Sequence, residues 1–311
     1  MILCIKHIEG LTPGKPFFIS ETQIKMQTTL RIAVQKSGRL YEGSMKLLKE
    51  CGIEISNGNN QLRVKAADFP LEVFFLRDDD IPEYVQDAVA DIGFVGENVV
   101  QETAKAVNTV EKLGFGKCRL SIAIPKNGEL KTLADLNGKK IATSYPNILD
   151  HFLAQKNIKA AVHVISGSVE IAPRIGLADA ICDLVSSGST LFTNELKELE
   201  TILSSEAVLI SNPQLTGEKK ILLESLLFRI RSVKKAKNNK YVLLNAPNDK
   251  LDTIIRLLPG MKSPTILPLA EPGWSSVHSV INETDFWKVI QDLKDNGAQG
   301  ILIIPIEKMI V

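Results

Sequence analysis

From Leu30 onward, short apolar runs alternate with amphipathic stretches, the pattern of α/β units. LRIAVQ (30–35) predicts a buried strand, followed by a helix from about Arg39 to Cys51 that Gly52 ends. LEVFFLR (71–77) and ADIGFVG (90–96) predict two further strands. Between them Asp78-Asp79-Asp80 precedes Pro82, the arrangement of a helix cap and a first-turn proline. A second series starts near Cys118 with RLSIAIP and runs through KKIATSY (139–145), AVHVIS (161–166) and DAICDLV (179–185). The connecting stretches have βαβ lengths, so parallel sheets are expected. AVLIS (207–211) is placed to return the chain to the first sheet. Two lobes joined by two crossings leave a cleft, a preferred place for a ligand.

After a helix rich in Leu and Lys (about 218–237) the pattern changes. KYVLLNAP, DKLDTIIRLLPG, SPTILPL, SSVHSVI, TDFWKVIQDLKDNG and GILIIPIEK read as β-α-β-β-α-β, a ferredoxin-like order common in regulatory domains. The expected division is an extension over 1–27, a first lobe over 28–117 with a return segment near 206–217, a second lobe over 118–205, and a C-terminal domain over 225–311.

A length of 311 residues suits two or three such domains, and 44% hydrophobic with 23% charged residues is ordinary for a globular protein. The net charge of +1 argues against a dedicated nucleic-acid binder. It leaves room for a local basic pocket facing a phosphorylated small molecule. The four cysteines form no C-x-x-C pair and read as free thiols in a reducing compartment, and the four histidines show no metal-ligand spacing. No apolar run reaches the length of a membrane span, and MILCIKHIEG lacks a signal-peptide core, so a cytoplasmic location is expected.

The most informative stretch is LADAICDLVSSGSTL (177–191): a strand ending in Asp183-Leu184-Val185, then Ser186, Ser187, Gly188, Ser189 and Thr190, then a helix. Hydroxyls and backbone N–H groups at a helix start, where the dipole supplies roughly +0.5 charge, suit a phosphate. No Lys occupies the turn, so it is not a Walker loop. An acid just before it suits ribose hydroxyls. By itself the stretch is equally an ordinary capped turn. In QKSGRL, Lys36 and Arg39 follow a strand, with Ser37 and Gly38 allowing close approach of a polyanion; the plainer reading is a solvated basic loop. Of Asp78, Asp79 and Asp80, at least one is expected to cap the next helix, and another to face the cleft. Glu170 and Arg174 are four apart, which on a helix suggests an exposed ion pair; a Glu there is also placed to hold ribose hydroxyls.

Together QKSGRL, RDDDIP, DIGFVGEN, CRLSIA, GKKIATSYP, GSVEIAPRIGLADAICDLVSSGSTL, SPTILPLAEPGW and ILIIPIEKM resemble the ATP phosphoribosyltransferase family, in its order, from Leu30 to the C-terminus. The resemblance implies a pair of lobes like a type II periplasmic binding protein and a C-terminal ACT-like module, the long form of the enzyme. It implies condensation of ATP with phosphoribosyl pyrophosphate, the first step of histidine biosynthesis, by attack of adenine N1 on C1′ without a protein nucleophile. On that basis residues 186–190 hold the 5′-phosphate, with Asp183 near the ribose. Lys36 and Arg39 bind phosphates of ATP or the leaving group. Glu170 and one of Asp79 or Asp80 orient the ribose and the adenine side. Magnesium is carried by the substrates' oxygens. The resemblance also implies histidine as an inhibitor bound near Asn245, Thr265 and Val280, and a homo-hexamer exchanging with a dimer. The rival reading is a non-catalytic solute sensor on the same two-lobed fold; the signal peptide or helix-turn-helix it calls for is not evident.

Overall fold

The computed structural model describes residues 28–56, 61–258 and 263–310. The segment expected as an N-terminal extension lies outside these residues.

In the first lobe, β1 (Leu30–Gln35), β2 (Arg63–Lys65), β3 (Leu71–Leu76), β4 (Ile92–Gly96) and β5 (Asn108–Lys112) are joined by α1 (Arg39–Glu50), α2 (Ile81–Gln86) and α3 (Glu97–Thr103). With the later β11 (Ala207–Ser211) they form a six-stranded sheet in the order β2-β3-β1-β4-β11-β5. β1 is 0% exposed at Leu30, Ile32, Ala33 and Val34, because both sheet faces are covered. One face packs Leu47 and Leu48 of α1, together with Leu226, Leu227 and Ile230, into a single cluster; the other buries Ile81, Val85 and Val99 against Ala33 and Val95.

The second lobe carries β6 (Cys118–Pro125), β7 (Lys140–Thr143), α4 (Pro146–Gln155), β8 (Ala161–Val164), β9 (Ala180–Val185), α5 (Ser189–Thr193) and β10 (Leu196–Ser205). Its sheet order is β10-β6-β9-β7-β8. The expectation of parallel sheets holds only in part, and β2 at the far edge of the first sheet is antiparallel to β3. β1 is parallel to β3 and β4, and β7 to β8 and β9. The strands next to each crossing run antiparallel: β6 to β9, β10 to β6, and β11 to β4 and β5. The chain enters lobe II and leaves it by adjacent strands, so those strands must run against the others. The two crossings lie side by side: Leu113 N donates to Ala207 O at 2.8 Å, Ala207 N to Phe115 O at 2.9 Å, and Gly114 N to Glu206 Oε2 at 2.9 Å.

Helix α6 (Gly217–Lys237) packs on lobe I and leads into the C-terminal domain. It is pinned at its start by Lys219 to Asp91, 2.8 Å, and near its end by Arg231 and Lys234 to Glu111 and by Lys237 to Glu50. The domain is β12 (Asn239–Pro247), α7 (Leu251–Leu257), β13 (Thr265–Pro268), β14 (Trp274–Asn282), α8 (Glu283–Asp295) and β15 (Gln299–Pro305). Its antiparallel order β13-β14-β12-β15 is the ferredoxin-like arrangement that the β-α-β-β-α-β pattern predicts. Val242, Leu244, Ala246, Val277 and Ile281 face helices α7 and α8. The opposite face is open, with Leu267, Leu302 and Ile304 between 44% and 53% exposed.

Candidate active site in the interlobe cleft

The C-terminal ends of β1, β3, β4 and β9 converge on a cleft of 470 Å³ lined by Gln35, Arg39, Asp78, Asn98, Leu184 and Ser186, among others. Strand C-terminal ends are where open α/β sheets hold ligands. The cleft shares Lys117, Cys118 and Ser186 with a neighbouring hollow of 360 Å³ beside the crossings. Another hollow of 380 Å³, lined by Glu129, Lys139, Pro173 and Asp179, lies near the opposite ends of β7 and β9 and away from the candidate residues.

Two turns frame the cleft. One joins β1 to α1 through Lys36, Ser37 and Gly38; the other joins β9 to α5 through Ser186, Ser187 and Gly188. In each a glycine occupies the N-cap with positive φ, 87° at Gly38 and 82° at Gly188, and no side chain caps the helix. Apart from a long 3.4 Å contact from Ser189 N to Ser187 Oγ, the backbone N–H groups of the β9 turn are therefore open to an anion. The turns meet where Arg39 Nη1 donates to Ser186 Oγ at 2.9 Å. Lys36 and four of the five loop residues, Ser186, Ser187, Ser189 and Thr190, are exposed.

Asp183 sits half-buried at the end of β9. Burial holds its carboxyl above the usual range, opposed by the Leu184 amide, which donates to it at 2.8 Å, and reinforced by Glu170. Asp78–Asp80 form a 3-10 turn, and α2 receives no side-chain cap, so the expected aspartate cap is not made. The turn runs directly into α2 with helical backbone at Asp80, so no cap is needed. Asp78 lines the cleft. Burial, then Asp78 and Asp80, raise the Asp79 pKa. Tyr145 feels both groups of acids: burial, then Asp183, Asp78 and Asp79, push its phenol well above its ordinary value.

Glu170 falls on a 3-10 turn, Val169–Ile171, rather than on the helix expected there. Pro173 lacks an N–H, and Ser168, at φ 52°, turns the chain left-handed just before Val169. Among the described residues Glu170 and Arg174 form no ion pair.

Several contacts escape sequence reasoning. Asn98 Nδ2 donates to Tyr145 Oη at 3.2 Å, and its Oδ1 accepts from Ser205 Oγ at 2.8 Å. Glu102 of lobe I accepts from Asn147 N at 2.9 Å and Ile148 N at 3.0 Å, capping α4 from across the cleft. Arg119 donates to Ser186 O at 3.2 Å. Asn98, Tyr145 and Arg119 all lie in the motifs DIGFVGEN, GKKIATSYP and CRLSIA, which is the signal that points to them; nothing local points to Glu102. Asn245, Thr265 and Val280 share the open face of the C-terminal sheet, where the pairs Asn245–Ser276, Leu243–His278 and Tyr241–Val280 follow one another and Thr265 lies opposite His278.

Cys51 and Cys182 are buried and Cys118 partly so; all three are unpaired, and burial raises each thiol. No helix among the described residues is long and apolar enough to cross a membrane.

The sequence model of the HisG family, ATP phosphoribosyltransferase, matches residues 77–232, and that of the HisG C-terminal domain matches 236–308. A protein of Cytophaga hutchinsonii named ATP phosphoribosyltransferase is 61% identical over 285 residues, 92% of this chain and 100% of its own length. The chain belongs to the ATP phosphoribosyltransferase family. A Bacteroides fragilis ATP phosphoribosyltransferase is 57% identical over 91% of the chain. The solved ATP phosphoribosyl transferase (HisG:HisZ) complex of Thermotoga maritima matches at 30% identity and TM-score 0.56, over 65% of this chain and 99% of that one. As an ATP phosphoribosyltransferase the chain is a pentosyltransferase of histidine biosynthesis, joining ATP to phosphoribosyl pyrophosphate. That membership sets aside the sensor reading.

Proposed function

We propose that the two turns divide the phosphates of the reaction between them, and that the Arg39–Ser186 contact marks where the two substrates meet. The β9 turn takes the 5′-phosphate of the ribose on its N–H groups and on the hydroxyls of Ser186, Ser187, Ser189 and Thr190. Lys36 and Arg39 neutralise the pyrophosphate leaving group or the phosphates of ATP. Asp183 and Glu170 face the ribose, where positive charge grows at C1′ as pyrophosphate leaves; Asp79 serves the adenine side. Adenine N1 is itself the nucleophile, so the protein's part is alignment and charge stabilisation. The cross-cleft bond from Arg39 to Ser186 and the two glycine N-caps, neither helix capped by a side chain, support this division.

No group of three or more His, Cys, Asp or Glu side chains among the described residues is arranged to hold a metal. Magnesium belongs to this proposal as the counter-ion of the substrates' phosphates. Asp183→Ala combined with Thr190→Ala is expected to abolish measurable phosphoribosyl-ATP formation in a folded enzyme; unchanged turnover would remove the loop from the site.

Histidine is proposed as an allosteric inhibitor on the open face of the C-terminal sheet, with Asn245, Thr265 and Val280 contributing. The half-exposed Leu267, Leu302 and Ile304 on the same domain support its burial against further copies in a cytoplasmic homo-oligomer, a hexamer exchanging with a dimer. Asn245→Ala with Thr265→Ala should relieve inhibition by histidine while leaving the uninhibited rate in place. Inhibition of undiminished strength would move the effector site elsewhere.

A further inference from the structure

Ser186 is gripped from two sides, and only one grip crosses the cleft. Its hydroxyl accepts from Arg39 of lobe I, while its carbonyl accepts from Arg119 Nη1 at 3.2 Å within lobe II. Arg119 stands near the start of β6, opposite Val185 at the end of β9. Its guanidinium is itself fixed by Glu198: Nε donates to Oε2 at 2.7 Å and Nη2 to Oε1, a fork-to-fork pair. Glu198 is held in turn by Ser121 Oγ, which donates to Oε2 at 3.0 Å and lies 3.2 Å from Thr201 Oγ1.

The pair is not a casual surface contact. Its side chains are 35% and 29% exposed, and Ser121 beneath them is 0% exposed. β10 shifts register between Glu198 and Glu200 and again between Thr201 and Leu203, irregularities that re-aim side chains on an edge strand. Among the described residues, the side-chain hydrogen bonds of Arg119 all go to Glu198 and to the loop carbonyl. An arginine placed to bind substrate directly would keep its fork free. Here the fork is filled by Glu198, and the remaining nitrogen fastens the first residue of the turn.

We propose that the Arg119–Glu198 pair is a positioning device for the Ser186–Thr190 loop, setting affinity for the phosphoribosyl substrate without touching it. This rests on the assignment of that loop to the 5′-phosphate. Releasing the Ser186 carbonyl leaves the turn free to wander, and a displaced loop presents its N–H groups and hydroxyls off target. The effect falls chiefly on the phosphoribosyl substrate, because Arg119 makes no direct bond to the β1 turn, which it reaches only through the Arg39–Ser186 contact.

The test is steady-state kinetics on the full-length enzyme with Arg119→Ala, Arg119→Lys, Glu198→Gln and, separately, Ser189→Ala with Thr190→Ala. Arg119→Ala should raise KM for phosphoribosyl pyrophosphate about tenfold, as expected for loss of a charged hydrogen bond, with KM for ATP moving less than about twofold. Lysine keeps the charge but not the fork, so Arg119→Lys should fall between, and Glu198→Gln should follow it. Hydrogen exchange of the 186–190 amides should quicken in the unliganded Arg119 variants while that of 36–39 stays unchanged. If the loop variant loses phosphoribosyl pyrophosphate affinity and the Arg119 and Glu198 variants do not, the positioning role is overturned and the loop assignment stands. If the loop variant also leaves that affinity intact, both fall. Equal rises in both KM values, in variants that melt like the wild type, would likewise overturn the proposal.

Discussion

The β1 turn and the β9 turn are nearly the same object built twice. Aligned on their glycines, Ala33-Val34-Gln35-Lys36-Ser37-Gly38-Arg39 faces Asp183-Leu184-Val185-Ser186-Ser187-Gly188-Ser189. Both are strand, Ser-Gly with a left-handed glycine, then helix, and both open on the same cleft. They differ in chemistry at four places: Lys36 against Ser186, Arg39 against Ser189, Ala33 against Asp183, and Gln35 against Val185. The first turn carries full cations at the start of a twelve-residue helix, the second only hydroxyls and N–H groups on a five-residue helix. Cations suit a polyphosphate whose charge increases as it departs. Neutral donors suit a monophosphate that stays put through the reaction and must be released afterwards. In the proposed division, one backbone device serves as leaving-group stabiliser or as anchor according to its side chains.

The largest break in this comparison should come from Lys36→Ala with Arg39→Ala. Its kcat/KM is expected to fall on the order of a hundredfold, since charge that develops in the transition state goes unmet. Steady-state rates with both substrates varied would read it. Swapping the chemistry sharpens the contrast: Arg39→Ser gives the β1 turn the Ser-Gly-Ser of its counterpart while keeping Lys36, removes the cross-cleft bond to Ser186, and should cost about tenfold in kcat/KM.

A smaller effect separates backbone from side chain. Gly38→Ala and Gly188→Ala meet no neighbouring atom, so only the left-handed φ is at issue. Each should lower unfolding stability by about 1–2 kcal/mol if the turn holds its shape. A larger activity loss than stability loss is expected at both, because each turn must keep its N–H groups aimed.

The smallest effect concerns Asp183, which has only Ala33 as its counterpart. Burial first, and Glu170 after it, raise its folded pKa, so it stabilises the fold fully only below its unfolded value near 3.9 and loses that contribution as pH rises through the folded pKa. Asp183→Asn should therefore melt above the wild type near pH 7, with the gap closing in acid, although its turnover falls. Asp91 behaves in the opposite sense. Though burial is the largest influence on it, hydrogen bonds from Arg31 and Lys219 carry its pKa below the ordinary value, so its stabilisation is present at neutral pH and lost on acidification. A buried carboxylate that is paired holds lobe I to α6, whereas Asp183, half-buried at the end of β9, has no cation partner among the described residues.

What could be read from sequence follows the same physics. β1, β3, β4 and the β-α-β-β-α-β tail are apolar enough to declare themselves. β2, β5 and β10 escape: RVK, NTVEK and LKELETILSS are polar strands with one face or one edge in water, and only partner strands make them extended. Antiparallel pairing at the crossings is set by topology, which no local pattern carries. Both turns were visible because glycine and phosphate-binding residue types cluster there. The contacts of Glu102 with Asn147, of Asn98 with Tyr145 and of Arg39 with Ser186 join residues 45, 47 and 147 positions apart and exist only once the lobes face each other.

The division of phosphates between the turns is tested most directly by calorimetric titration of ribose 5-phosphate and of pyrophosphate with magnesium. The proteins compared are the wild type, Ser189→Ala with Thr190→Ala, and Lys36→Ala with Arg39→Ala. The expected result is crossed: the first double variant loses affinity for ribose 5-phosphate alone, and the second for pyrophosphate alone. Parallel loss of both ligands in either variant, or the reverse pairing, would contradict the division.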